Sequence, residues 1–590
     1  MADIAAPPAQ HPFTLAQYRL QEMKDERNGY DSHYRELQDF FLTRRGRWIT
    51  DSTTARGNKR NQKMVDPTPR FSARTLGAGM HAGSTNPATP WMLFGTPDPE
   101  MMEVPRVARW LYKLENLVRN IFERSNLYSV LPPIYSESGV FGTAPMVMLE
   151  HPQKVIQFVP KTVGSYYLAK DADGNVDTLY CEYKMTTRQL VSSFGLDRVS
   201  AQLRDQYNLG RYNLYSDVLH TIEPNTTREY GARNAKNMPW RSCYYETHAA
   251  MQMPRPLRES GFEDNPIAAF LWETTEITDP YGSSCGMDAL GCAKALQVQV
   301  KQKAKAVDKL VDPPMVGDPL LKNQPSSLIP GDVTYAGFTQ NGSSPKFQPA
   351  YTIRPELQHL IADVQDVREL IEVAMYTDLF FAITRADPRN ASVPEIDARK
   401  EEQILALGPV LQNHATFARS IVDRTVNIIV RNSLPVWEGR LNYPVNPAAF
   451  IEPPPEELSG VNLKIELIGA LAQAFKAIAG QKIERFAGFV GNLAAAQANA
   501  GQPVTAFDKF DSDQSIDEYA MAIGVPPTVV RSDEDVAALR DQRAQAQQAQ
   551  QMAAAAAPLK DAAMAAKAAS ETKLGTGSAL DAVTDAAGGA

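Results

Sequence analysis

Lys294, Lys301, Lys305 and Lys309 are spaced so that an α-helix would set them in one row. At about 100° per residue they fall within about 80° of one another. Leu296, Val300, Ala304, Val307 and Val311 lie on the opposite side as an apolar stripe, the side expected to pack. In an oligomer that row could line something acidic; facing water, it would be an ordinary solvated helix surface. Spacing alone leaves both readings open. A second basic run lies between Arg44 and Arg74, where nine Lys or Arg stand against only Asp51 and Asp66. It suits an acidic partner, a nucleic acid or a solvated loop.

Other chemistries lack their residues. A phosphate-binding loop needs GxxxxGK[ST], yet Lys161 is the only lysine followed by Ser or Thr, and Pro160 precedes it. Gly77, Gly79 and Gly83 have a GxGxxxG spacing after no clear strand and are read as turn or close-packing glycines. The eight histidines are scattered, with no HExxH pair and no cysteines at ligand spacing. Asp508, Asp511, Asp513, Asp517 and Glu518 lack a calcium-loop pattern and are read as charging the start of a helix, where carboxylates offset the macrodipole. The expectation is a protein that is not an enzyme and uses no cofactor and no metal.

These residues need elements to position them. A chain of 590 residues exceeds the roughly 250–300 that one core supports, so two or more packed units are expected. With 60 basic against 68 acidic residues the net charge is −8, which disfavours a protein that clamps nucleic acid over its whole surface. No run approaches the roughly 18 apolar residues of a membrane span. The start, MADIAAPPAQHPF, lacks the order of a signal peptide. Cys181, Cys243, Cys285 and Cys292 are few and without CxxC spacing, so a reducing compartment is expected.

Apolar periodicity predicts helices over 15–42 and 100–126, with strands at 144–150 and 155–160. A hairpin follows, 165–170 and 176–185 around the turn Asp171–Asn175. Thr186 and Gln189 form a capping box for a helix that Gly195 ends, and Ser200 opens another. The lysine row rides on one long helix, Asp288 to Asp312. After a Pro- and Gly-rich excursion a single helix is expected from Pro355 to Thr384, then a third from Pro394 to about Ser433, bent or interrupted at Gly408 and Pro409. Residues 460–500 read as helical, Ser532 and Asp535 suit a further helix start, and the Ala-rich remainder ends in a stretch expected to be disordered.

Several blocks stand out in order: LGAGMHAGSTNPATPWMLF with Gly79, Pro87 and Trp91; GVFGTAPM; QFVPKTVGSYYLAKDADGNVDTLYCEYKMTTRQLVSSFG; WETTEITDPYGSSCGMDALGCAKALQVQVKQKAKAVDKLVDPP; YTDLFF; and EEQILALGPVLQ. Across nearly the whole chain they resemble the portal, or head-to-tail connecting, proteins of short-tailed bacteriophages. The resemblance implies a mainly α fold with an α+β wing domain and long stem helices, assembled as a homo-oligomeric ring, usually a dodecamer. On that plan 1–285 is the wing, 286–312 the first stem helix, 313–354 the clip and 355–384 the second stem helix. A mobile channel loop at 385–394 follows, then a kinked long helix completing the wing (395–459), a crown (460–530), a helical extension (531–570) and a disordered tail (571–590).

The resemblance further implies a place in the virion, at the unique head-tail vertex, for a protein made in the host bacterial cytoplasm. Double-stranded DNA would be packaged and ejected through the ring. The implied partners are the terminase large subunit, head-tail adaptor and tail proteins, and the major capsid and scaffolding proteins, with no membrane. Lys294, Lys301, Lys305, Lys309, Arg385 and Arg389 become DNA-channel candidates. The alternatives are another head-tail adaptor or tail structural protein of the virion, and a packaging enzyme for which the sequence offers no site.

Overall fold

The computed structural model describes residues 12–46, 63–98, 100–229, 231, 234–253, 255–311, 357–384, 406–439, 445–458, 460–469 and 471, with shorter pieces at 315–317, 347–349 and within 486–578. The chain divides into two compact units, Met1–Ile478 and Ala479–Ala590.

In the first unit, α1 (Pro12–Phe40) steps Phe13, Ala16, Leu20 and Met23 along one side by threes and fours. Those residues join a cluster with Tyr180, Leu219 and Tyr245, while Tyr34 and Leu37 further along enter the main core. Next come α2 (Thr68–Ser84), β1 (Met92–Gly95), the single-turn α3 (Glu100–Glu103) and α4 (Pro105–Arg124). The apolar face expected over 100–126 is buried at Val107, Trp110, Leu111, Leu114, Val118 and Ile121.

Two elements differ from the sequence reading. The glycine-rich stretch is the helix α2, and Leu127–Phe141, where no helix was expected, is α5 with Pro132 and Pro133 inside it. The glycines serve close packing: a Cβ on Gly77 would stand 2.8 Å from the Pro132 carbonyl, and Gly79 faces the Phe380 ring.

The two strands and the hairpin read between 144 and 185 are present, and four further strands, not read from the sequence, follow them. β2 (Thr143–His151) is the centre of a three-stranded antiparallel sheet between β3 (Val155–Pro160) and a later strand. β4 (Tyr166–Lys170) and β5 (Val176–Thr186) form the expected hairpin, and Asp171 Oδ1 accepts the Asp173 and Asn175 amides across the turn. The capping box is present: Thr186 opens α6 (Thr187–Phe194), Gly195 ends it, and Ser200 caps α7 (Ala201–Asn208). β6 (Tyr215–Pro224), β7 (Trp240–Glu246) and β8 (Arg258–Phe262) complete a five-stranded antiparallel meander in the order β4-β5-β6-β7-β8. β9 (Ile267–Leu271) then pairs with β2.

Residues 285–311 form α8 (Cys285–Val311), and β10 (Met315–Gly317) pairs antiparallel with β11 (Phe347–Pro349). The rest of the expected clip lies outside the described residues. The single helix expected from Pro355 to Thr384 is two, α9 (Leu357–Ala374) and α10 (Thr377–Thr384), because Tyr376 takes a left-handed φ of 54°. That break turns Leu379 and Phe380 into the core, where both are buried. Residue 406 is helical, Leu407 is a turn, and α11 (Gly408–Trp437) starts with Pro409 in its first turn, so the helix is interrupted at Gly408 and Pro409 as expected; the expected start at Pro394 is outside the described residues.

The expectation of helix from residue 460 is corrected at β12 (Lys464–Leu467), which pairs antiparallel with β1 and buries Ile465. In the second unit helix is described over 486–497, 512–516 and 536–548. Asp511 Oδ1 accepts the Asp513 and Gln514 amides, so this carboxylate caps a helix as expected, and Arg540 clasps Asp513 at 2.7 and 2.8 Å. Ser532 and Asp535 lie outside the described residues, and Lys573–Leu574 pairs with Gly577–Ser578 inside the stretch expected to be disordered.

Candidate nucleic-acid interface

The lysine helix α8 is rooted at its N-terminal half. Ser284 Oγ accepts the Met287 amide and donates to the Val140 carbonyl at 2.7 Å, and the Cys285 thiol donates to the Gly139 carbonyl. Ala289, Leu290, Ala293 and Leu296 are buried in the main core. Each turn places one more small or branched residue on that side, which is what keeps the helix direction fixed.

Gln297 marks the end of the rooted part. Its Oε1 accepts the amides of Val65 and Asp66 at 2.6 and 2.8 Å, and its Nε2 donates to the Asp66 carbonyl at 3.1 Å. The Asp66 carboxylate is buried and receives Thr68 at the start of α2 and both Nε and Nη2 of Arg368 on α9, at 3.1 and 2.7 Å. Burial pushes this carboxyl up, but the Thr68 hydrogen bonds and the Arg368 guanidinium together hold it below the ordinary aspartate range. One clasp thus joins α8, α9 and the start of α2. Asp66 followed by Pro67 and Thr68 is a legible helix-start signal; Arg368 carries no local signal of its role.

Beyond Gln297 the helix has no fully buried residue, and only Gln299, Val300, Lys303 and Ala306 are partly covered. The stripe expected to pack is buried at Leu296 and partly covered at Val300, whereas Ala304 is exposed, Val307 is 38% exposed and Val311 78%. Leu310 on α8 and Ile361, Leu370 and Val373 on α9 are exposed as well. The expectation that this whole side packs within the chain is therefore corrected for the last two turns.

The four lysines separate into two groups. Lys294 sits over the rooted half and its Nζ donates to Glu36 Oε2 on α1 at 2.6 Å, which holds the Glu36 carboxyl below its ordinary range. Lys301, Lys305 and Lys309 are exposed beyond Gln297. Lys301 and Lys305 form no ion pair among the described residues. Arg385 and Arg389 lie outside the described residues.

All four cysteines are free thiols, three of them buried. Among the described residues no group of His, Cys, Asp or Glu could hold a metal ion, and no helix is long and apolar enough to cross a membrane. His414 is enclosed, its Nε2 2.9 Å from Tyr135 Oη, and burial pushes its pKa down to about 4.

An anchored helix that carries a cation row past the edge of its own core suits a part of a larger assembly. Comparison with known proteins gives the class. The sequence model of the bacteriophage head to tail connecting protein family matches residues 14–530. The chain is 40% identical to the portal protein of Salmonella phage epsilon15, over 97% of each chain. It is 36% identical to the probable portal protein of Bordetella phage BPP-1, over 91% of this chain and 92% of that one. The chain belongs to the bacteriophage head-to-tail connecting family, that of the phage portal proteins, as the sequence blocks indicated. Among solved structures, a chain of the native gene transfer agent virion covers 75% of this chain at 10% identity with a TM-score of 0.34. One from the neck of the empty gene transfer agent particle covers 78% at 10% identity with a TM-score of 0.35.

Proposed function

We propose that copies of this portal protein close into a ring, a dodecamer on the family plan, at one vertex of the capsid, with α8 and α9 as the wall of an axial passage for double-stranded DNA. The observation that carries this reading is the outer half of α8: Val307, Leu310 and Val311 are apolar and exposed beyond the point where Gln297 ends the rooted part. A neighbouring copy is what covers such a stripe, and head-to-tail contacts that repeat close into a ring when the rotation from copy to copy completes a full turn. The lysine row on the other side then becomes circles of positive charge, and Lys301, Lys305 and Lys309 face the duplex. Lys294, held by Glu36, anchors the row rather than contacting DNA.

In this reading the protein guides DNA without cutting it or hydrolysing nucleotide, and the terminase large subunit supplies the motor. Residues 385–394, with Arg385 and Arg389, form the loop at the narrowest part of the passage. Head-tail adaptor and tail proteins dock at one end of the ring; major capsid and scaffolding proteins surround it. The relatives are named portal proteins over nearly their full length, which weighs against a separate adaptor or tail protein.

Negative-stain imaging and light scattering of the purified chain, alone and with capsid-assembly partners, test the proposal. Closed rings with a central opening are expected. A stable monomer at micromolar concentration under both conditions contradicts it.

A further inference from the structure

A cavity of about 420 Å³ opens where the end of α1, the start of α2 and the middle of α5 meet. Its apolar lining is the exposed Ala78 and the partly exposed Pro132 and Pro133, together with Phe41 and Leu42, whose side chains are buried. Four guanidinium side chains line it: Arg44, Arg45, Arg70 and Arg74. They are not equivalent. Arg45 pairs with the buried Glu137 at 3.1 Å, whereas Arg44, Arg70 and Arg74 form no ion pair among the described residues. Arg70 and Arg74 stand one turn apart on α2 and so share a side of that helix.

The chain as a whole is acidic, so three guanidinium groups without an ion pair among the described residues, around one partly apolar cavity, are a local reversal of its charge. From this cavity we infer that the protein docks an acidic peptide segment of a partner protein, with glutamate or aspartate side chains on the arginines and an apolar side chain between them on the prolines. Arginine recognises a carboxylate through two parallel N–H groups, which gives direction as well as attraction. The apolar lining decides between peptide and DNA. A duplex offers phosphates to the rim but nothing apolar to Ala78 and the two prolines, whereas an extended peptide alternates both chemistries. None of Lys294, Lys301, Lys305 and Lys309 lines this cavity, and the inference does not rest on the portal reading.

The test is fluorescence anisotropy of the purified full-length chain with a short labelled peptide of alternating glutamate and leucine. The probes for comparison are the same peptide with glutamine for glutamate, a labelled DNA duplex, and inorganic phosphate as competitor. The glutamate peptide is expected to bind, more weakly as salt rises, and the glutamine peptide to bind at least about tenfold more weakly. The variant Arg44→Gln/Arg70→Gln/Arg74→Gln is expected to lose on the order of tenfold in peptide affinity while its duplex affinity stays within twofold, roughly, of wild type. Ala78→Glu keeps all three arginines and places a like charge on the apolar lining; it too is expected to lose peptide binding. Failure of the glutamate peptide to bind wild type, equal binding of the glutamine peptide, or unchanged affinity in both variants overturns the inference. A duplex affinity that falls as far as the peptide's also overturns it and makes the site a DNA contact, and full displacement of the peptide by phosphate reduces it to general anion binding.

Discussion

Asp66 and Gln297 hold each other at two points, the amide oxygen of Gln297 on the Asp66 N–H at 2.8 Å and its nitrogen on the Asp66 carbonyl at 3.1 Å. The same aspartate carries Arg368 from α9 on its carboxylate. Both long helices therefore leave the core through one polar clasp, and the direction of the lysine row depends on it.

Removing the charge at this clasp should loosen the helices. Asp66→Asn is expected to cost about 1–3 kcal/mol at neutral pH, since hydrogen bonds to an ionised group are lost in a buried place. The folded carboxyl titrates below its ordinary 3.8. Its contribution is thus complete above that value and disappears as pH falls through the lower folded value. Urea unfolding should show a gap between wild type and variant that closes in acid. A gap independent of pH contradicts the account.

Glycine positions give a paired expectation. A Cβ on Gly77 meets the Pro132 carbonyl at 2.8 Å, a backbone atom that cannot swing aside, while Gly291 on α8 has nothing within 4 Å. Gly77→Ala should destabilise by about 1–3 kcal/mol despite the better helix former, and Gly291→Ala should stabilise by about 0.5–1 kcal/mol. Thermal unfolding of the two variants checks this; shifts of the same sign would sink the packing argument.

His414 makes folding sensitive to mild acid. Its folded pKa lies near 4 because burial disfavours the imidazolium, against an ordinary 6.5. The folded state keeps the ring neutral while the unfolded chain takes up a proton, so stability is full above about 6.5 and falls as pH drops toward 4. The loss from this one group amounts to about 2 kcal/mol between about pH 6.5 and 5. In His414→Gln that component should be missing, which comparison of urea midpoints at about pH 7.5 and 5 would show. Equal acid sensitivity in the two proteins rules the explanation out.

What was legible in the sequence is what local forces decide. The Asp171–Asn175 turn, the Thr186 capping box and the run of α8 follow from residues within a few positions of one another. α2 and α5 did not, because glycines and paired prolines argue against helix locally and only the contact between the two helices makes sense of them. β12 was hidden for a similar reason: Lys464–Leu467 is a strand only because β1 offers an edge. In the candidate site the lysine spacing was readable, but the pairing of Lys294 with Glu36 and the end of full burial after Gln297 are tertiary facts.

The measurement that bears most directly on the central claim is the salt dependence of duplex binding by isolated rings of wild type and of Lys301→Gln/Lys305→Gln/Lys309→Gln. Glutamine is a comparable helix former, so helix and ring should persist. If the row faces the passage, each lysine releases counterions from the duplex, and the variant should bind more weakly with a clearly shallower slope of log affinity against log salt. Equal slopes for the two rings would place these lysines on the outer, solvated side of the helix and contradict the account.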